Sequence, residues 1–236
     1  MAGSTILKST YSLLSLVLCA GILCSVAQAE DTPTKWLTSE QKQALVDSVP
    51  PPPVPGSDAD KADLATLLQI QDSRTDTMIA EAKLDQKFSD LLFQPTYGEA
   101  LTPANSPKFY DLMKNVLKIT VKVDEAAKAK YKRPRPYQGH SDTVHSLFPV
   151  WGFSYPSGHS MASYTLAVVL GAVFPDKAQA FLDRAGKIAQ SRVDAGVHYP
   201  TDIAEGEVLG KATGAAILAN ADFQKDLAMV QAELKK

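Results

Sequence analysis

PSGHSMASYTLAVVLGAVF, residues 156–174, is the stretch on which the fold turns. Pro156 closes a long irregular segment, Ser157 and Gly158 suit a helix start, and the apolar residues that follow run to Phe174 with no strand-like alternation. The span 161–173 contains Ser163 and Thr165 and is too short to cross a bilayer, so it reads as a core helix of a soluble protein. The residues after it point the same way. Helices are expected over about 176–191 and 200–220, with a terminal one from Asp222. Gly206, Gly210 and Gly214 recur every four residues in the second of these, a spacing that lets a neighbouring backbone approach. Lys211 breaks that run as a membrane span.

Upstream, Ser106 can cap a helix that has Pro107 at its first position and runs to about Tyr131, with Phe109, Leu112, Met113, Val116, Leu117 and Thr120 on one face. Pro134 and Pro136 stop it. Residues 58–92 read as helical with interrupted apolar spacing and several breaks. Thr38, with Gln41 three residues on, fits a capping box opening a short helix to about Val49. The prolines of 50–55 then favour an extended strap, ended by Gly56 and Ser57, which reads as a passive connector. No segment of weight has strand period, so the fold class is all-α, a single-domain helical bundle.

At 236 residues, 45% hydrophobic and 21% charged, the chain can bury one substantial core. Lys8, the apolar run 13–26 and Ala27-Gln28-Ala29 have the form of a leader cleaved after Ala29. The expected division is a signal peptide over 1–29, an N-terminal segment with the strap over 30–57, and a catalytic domain over 58–236. Cys19 and Cys24 both fall in the leader, so the exported chain has no disulfide to staple it. Losing Lys8 leaves 23 basic against 26 acidic residues, a net charge of −3, which argues against nucleic-acid binding.

Chemistry concentrates between residues 128 and 202. Three groups occur in order: Lys128 with Arg135-Pro136, then Pro156-Ser157-Gly158-His159, then Ser191-Arg192 with His198 and Asp202. Each alone is a weak signal, and their joint order is strong. Lys128, Arg135 and Arg192 can surround a tetrahedral dianion, the arginines through paired hydrogen bonds. The amides of Ser157 and Gly158 and the Ser157 hydroxyl can point at the same anion from a helix start. His198 is read as a nucleophile held by Asp202 through Nδ1 with Nε2 free, and His159 as the proton donor. The four histidines, His140, His145, His159 and His198, have no accompanying carboxylates at metal-ligand spacing, so no metal site is expected.

These three groups resemble the signature of the type 2 phosphatidic acid phosphatase superfamily, and within it are most similar to bacterial class A non-specific acid phosphatases. The resemblance implies an exported, periplasmic or secreted, hydrolase of phosphate monoesters that works without cofactor through a phosphohistidine. It implies His198, Asp202 and His159 as catalytic residues, and Lys128, Arg135, Ser157, Gly158 and Arg192 as phosphate ligands. Small phosphomonoesters are the expected partners and vanadate an inhibitor; phosphotransfer to alcohols and a homo-oligomer are open, and no nucleic acid or stable membrane insertion is expected. An acidic optimum is expected because His159 must start protonated. Residues 132–136, KRPRP, offer two Arg-Pro pairs. Six intervening residues pair Arg135 with Lys128, so Arg133 is read as peripheral. His140, Asp142 and His145 read as surface residues near the cleft mouth. A vanadium-dependent haloperoxidase, a lipid phosphate phosphatase and a non-enzymatic phosphate binder are the competing readings.

Overall fold

The computed structural model describes residues 34–235, and the leader reading lies outside them. Among the described residues the secondary structure is entirely helical. Its elements are α1 (Ser39–Ser48), α2 (Asp58–Asp72), α3 (Asp76–Leu84), a 3-10 turn Asp90–Phe93 running into the short α4 (Gln94–Tyr97), α5 (Pro107–Tyr131), the single turn α6 (Pro136–Gly139), α7 (Gly158–Val173), a 3-10 turn Pro175–Lys177, α8 (Ala178–Asp194), α9 (Pro200–Leu218) and α10 (Ala221–Leu234). The fold is all-α, as expected. Among the described residues no helix is long and apolar enough to cross a membrane.

α7 is the axis of the bundle. Its residues 160–167 are all buried, which is why its sequence is apolar or small all round rather than on one stripe. It packs chiefly on α9 and α8, then on α5. The α9 glycines account for the closeness of the first contact: a Cβ on Gly206 would lie 2.6 Å from the Ser157 carbonyl oxygen, and one on Gly214 2.7 Å from Val168 Cβ. A Cβ on Gly210 would press into the Met161 carbonyl, which is backbone and cannot swing aside. Two small hydrogen bonds tighten the same seam: Thr165 Oγ1 donates to the Gly210 carbonyl at 3.0 Å and Ser160 Oγ to that of Ile203 at 2.6 Å.

α5 has the predicted span, and its start differs in one detail. Ser106 makes no side-chain cap. The Glu233 carboxylate at the end of α10 accepts instead from the Lys108 and Phe109 amides, both at 3.1 Å, so a residue far off in sequence satisfies the helix N-terminus. α5 ends on Lys132 at φ 51°, just before Pro134. The interrupted reading of 58–92 resolves into α2 and α3, the second capped by Thr75, which accepts from Met78 N at 3.2 Å.

The N-terminal segment is tied to the body at both ends. Trp36 sets its ring edge-on to Phe223 at 5.1 Å and donates from Nε1 to Asp226 at 3.0 Å. The capping box of Thr38 and Gln41 is formed as expected. The strap that follows is held by two tyrosines: Tyr155 donates to the Pro50 carbonyl at 2.8 Å and Tyr131 to that of Val49. These tyrosines end α5 and precede α7, so the strap is fixed beside the region where the chemistry gathers.

Candidate active site

Four helix ends meet at one place. The last turn of α5 carries Lys128, the first turn of α7 carries Gly158 and His159, the last turn of α8 carries Arg192, and the first turn of α9 carries Asp202, with His198 two residues before Pro200. Gly196, at φ 72°, turns the chain sharply out of α8; a residue with a Cβ there would be strained and would approach the backbone of His145 and Ser146 to 3.3 Å. Arg135 comes from the α5–α6 turn. The structure thus brings together all eight residues singled out from the sequence.

His198 is buried, with Nδ1 3.3 Å from Asp202 Oδ2. On its other side Nε2 lies 3.1 Å from Arg135 Nη1. A guanidinium can only donate, so Nε2 holds a lone pair and the proton belongs on Nδ1, toward Asp202. Burial, then the charges of Arg135 and Lys128, push His198 down to about 3, with Asp202 acting in the opposite sense. Asp202 is itself fully buried. Burial alone would raise its pKa, yet the hydrogen bond and charge of His198, the charge of Arg133 and the Ser154 hydroxyl hold it below the ordinary carboxylate value. Its Oδ2 also accepts from Tyr199 N at 2.8 Å and Ser154 Oγ at 2.5 Å.

Arg133 corrects the sequence reading. It is not peripheral but buried, donating to Asp202 Oδ1 at 2.7 Å, Thr201 Oγ1 at 2.8 Å, Asp63 at 2.9 Å and Asp60 at 3.3 Å, with its guanidinium 3.9 Å from the centre of the Tyr199 ring. The motif spacing chose Arg135 over it as the partner of Lys128, and the structure sets Arg135, not Arg133, against His198 Nε2. Spacing gave no warning that the discarded arginine would hold the back of Asp202.

The three cations differ from Arg133 in what holds them. Arg135 donates to the carbonyls of Gly152 at 3.0 Å, Val197 at 2.9 Å, Trp151 at 3.1 Å and Phe153 at 3.3 Å. Arg192 is wholly buried and reaches one protein acceptor, the Asp85 carbonyl at 3.3 Å; its Nε and Nη2 find none among the described residues. Neither guanidinium has a carboxylate within 4.0 Å among those residues. Burial and the neighbouring Arg135 charge lower Arg192 to about 10, and burial lowers Arg135 and Lys128 as well. Lys128 donates to the Pro156 carbonyl and sits 3.2 Å from Asp124. Asp124 was not singled out from sequence, though its place four residues before Lys128 on one helix face was a usable signal. Burial raises it despite Lys128. Two guanidiniums turned to no carboxylate, one of which depresses both Arg192 and Lys128, suit a polyanion.

At the start of α7 a second correction applies. The Ser157 amide is not free: it donates to the Asp202 carbonyl at 2.9 Å, and the Ser157 oxygen caps the helix by accepting from Ser160 N at 3.4 Å. The Gly158 and His159 amides, in the first turn, have no intrahelical acceptor. His159 is half-buried, 3.2 Å from the Gln86 carbonyl through Nε2 and edge-on to Phe88 at 5.4 Å. A carbonyl only accepts, so the neutral ring keeps its proton on Nε2. Burial, then Arg192, His198 and Lys128, hold this histidine well below its ordinary value. That departs from the expectation of a histidine already protonated.

His140, Asp142 and His145 stay outside the cage. Asp142 and His145 are exposed and His140 is half-buried; His145 is fixed through its backbone, its amide donating to Gln71 at 2.7 Å and its carbonyl accepting from Arg74 at 3.1 Å. Ser154 was missed because nothing around a serine in an aromatic loop marks it. No group of three or more His, Cys, Asp or Glu side chains able to hold a metal ion occurs among the described residues.

Residues 114–225 match the PAP2 superfamily. A non-specific acid phosphatase of Salmonella typhi is 33% identical over 150 residues, 61% of this chain, and the match spans about 59% of that relative's length. A non-specific acid phosphatase of Providencia stuartii is 26% identical over 93% of this chain and 96% of its own. An acid phosphatase of Zymomonas mobilis is 27% identical over 79% and 74%. A transmembrane PAP2-type phosphatidylglycerolphosphate phosphatase from Bacillus subtilis superimposes with a TM-score of 0.52 at 22% identity, covering 75% of this chain and 90% of its own, a likeness of fold. The ends of α5, α7, α8 and α9 that build the cage all lie inside the span of residues 114–225 that matches the PAP2 superfamily.

Proposed function

We propose that this protein is an exported acid phosphatase that cleaves phosphate monoesters through a phosphohistidine on His198. One observation carries the reading: a wholly buried Arg192 with two unpartnered donor nitrogens, beside Arg135 and Lys128 and next to an imidazole whose Nε2 holds a lone pair. The acid phosphatase relatives support the same activity. A leader over 1–29, the strap segment over 30–57 and a catalytic domain over 58–236 complete the proposal, with export to the periplasm or the medium.

In the first half-reaction the Nε2 lone pair forms a bond to phosphorus as the bond from phosphorus to the leaving oxygen breaks. That oxygen takes a proton from His159. The Nδ1 proton stays on His198, and Asp202 stabilises the positive ring that forms. Arg135, Arg192 and Lys128 hold the three remaining oxygens as charge develops. In the second half a water attacks phosphorus, His159 takes its proton, and the electrons of the N–P bond return to Nε2. An alcohol in place of water gives phosphotransfer. The cations that depress His159 are those the phosphate neutralises, so bound substrate restores its affinity for the proton. Acidic solution then serves the reaction without a resting imidazolium.

His198→Ala should abolish hydrolysis of p-nitrophenyl phosphate while still binding inorganic phosphate, and vanadate should compete with substrate in the wild type. Near wild-type turnover by the variant would remove His198 from this role.

A further inference from the structure

His159 stands at the edge of two arrangements at once. One is the cage; the other is a cleft of about 300 Å3 beside it, whose remaining walls include Phe88, Leu117, Val121 and Ala162. Gly158 and Asp124 line it too, so it opens directly off the first turn of α7. We propose that this cleft is the leaving-group subsite, and that it selects phosphomonoesters of hydrocarbon alcohols, aromatic or aliphatic, over those of polyols.

The argument rests on the reading of His198 as nucleophile and His159 as acid. In-line displacement sets the leaving oxygen opposite His198 Nε2, within reach of the group that protonates it. The carbon portion attached to that oxygen must then continue past His159, and the concavity on hand is this cleft. Its surface is mostly hydrocarbon: the Phe88 ring stands edge-on to His159 at 5.4 Å, Leu117 is half-buried, Val121 is 53% exposed, and the Thr120 hydroxyl in the wall is spent on the Leu117 carbonyl at 2.8 Å. The carboxylate in its wall, Asp124, is engaged with Lys128 at 3.2 Å. A polyol entering here would give up water for few partners, whereas a ring or alkyl chain gives up nothing. The volume is at the low end of small-molecule sites, roughly 300–1,000 Å3, which suits one ring or a short chain.

The test compares 2-phenylethyl phosphate with glycerol 3-phosphate, so that both leaving groups are alcohols, in the full-length enzyme. The ratio of kcat/KM for the first over the second should be about 10 or more in the wild type. It should fall several-fold in Phe88→Ala and, independently, in Val121→Ser, whose exposed position leaves folding undisturbed. A wild-type ratio near one, or a ratio unmoved by both variants, overturns the subsite. His198→Ala is run alongside: turnover of either ester at the wild-type rate would bring down the underlying reading, while loss of turnover with an unmoved ratio sinks the subsite alone.

Discussion

Replacing Arg133 by methionine probes the correction to the sequence reading. The side chain that leaves is, among the described residues, the one cationic partner of buried Asp63 and the cationic support of Asp202 Oδ1. Methionine fills much of the volume but leaves both carboxylates without it. Breaking a buried pair by removing one member costs about 3–5 kcal/mol, a large share of the roughly 5–15 kcal/mol a domain possesses. For a chain of this size each kcal/mol moves Tm by about 2–4 °C, so a fall of about 10 °C is expected by calorimetry. Activity falls for a different reason. The tautomer of His198 is fixed from the far side by Arg135, so it survives; what is lost is the orientation of Asp202, and partners at that remove are worth about 10–100-fold in rate. The loss should appear in kcat, with KM little changed, because no cage residue is touched. Adding Asp63→Asn should recover part of the Tm, since one of the two orphaned charges is gone, but none of the rate. Arg133→Lys should rescue poorly, because an ammonium cannot span Asp63 and Asp202 as the fork does. A methionine variant with wild-type Tm and kcat within twofold would return Arg133 to the periphery.

Three further outcomes follow from the same geometry. His159→Ala should cost far more with alkyl esters than with p-nitrophenyl phosphate, whose leaving group needs little protonation, and equal losses across a leaving-group series would contradict its role as acid. Stability should drop as solution is acidified: His198 is depressed to about 3 in the folded protein against about 6.5 unfolded, so the unfolded chain takes up the proton first and stability is lost from about pH 6.5 down toward that value. His159 acts in the same direction, and Asp202, lowered when folded, adds a loss below the unfolded carboxylate value of about 3.9. Inorganic phosphate at about 100 times its Kd should return about 2.7 kcal/mol; urea melts that do not weaken between pH 7 and 4, or ignore phosphate, would refute this. Gly210→Ala should destabilise by about 1–3 kcal/mol or more, because the added methyl meets the Met161 carbonyl rather than a movable side chain, and an unchanged midpoint would show that the α7–α9 seam yields.

Most of the fold was legible because its signals are local. The Thr38 box, Pro107 at a helix start and the four-residue glycine rhythm of α9 each act within one turn or one seam, and each is found where it was expected. What escaped was supplied from a distance. Glu233 caps α5 across more than a hundred residues, Ser154 is drawn to Asp202 by a loop with no periodicity, and the Ser157 amide is spent on the Asp202 carbonyl instead of pointing outward. The residues gathered at the cage were readable because three motifs named them; their hydrogen-bond supports were not, because no motif records which acceptor a buried donor finds.

Arg133 and Arg135 show why residue type and spacing stop short of function. They stand two positions apart, both buried, both touching the His198–Asp202 pair, and yet their partners are of opposite kinds. Arg133 is neutralised by Asp202, Asp63 and Asp60, and Arg184, farther out, is likewise matched by Asp85. Arg135 and Arg192 are held by backbone carbonyls, which fix position and direction but cancel no charge. A carboxylate partner would have stabilised the empty fold more, and it would have competed with every anionic ligand. Carbonyls leave the positive charge undiminished, at the cost of the burial and the repulsion from Arg135 that lower Arg192. On the proposed reading, the division between arginines that build and arginines that bind follows the acceptor, not the motif, and it predicts which substitutions will be read out in Tm and which in phosphate affinity.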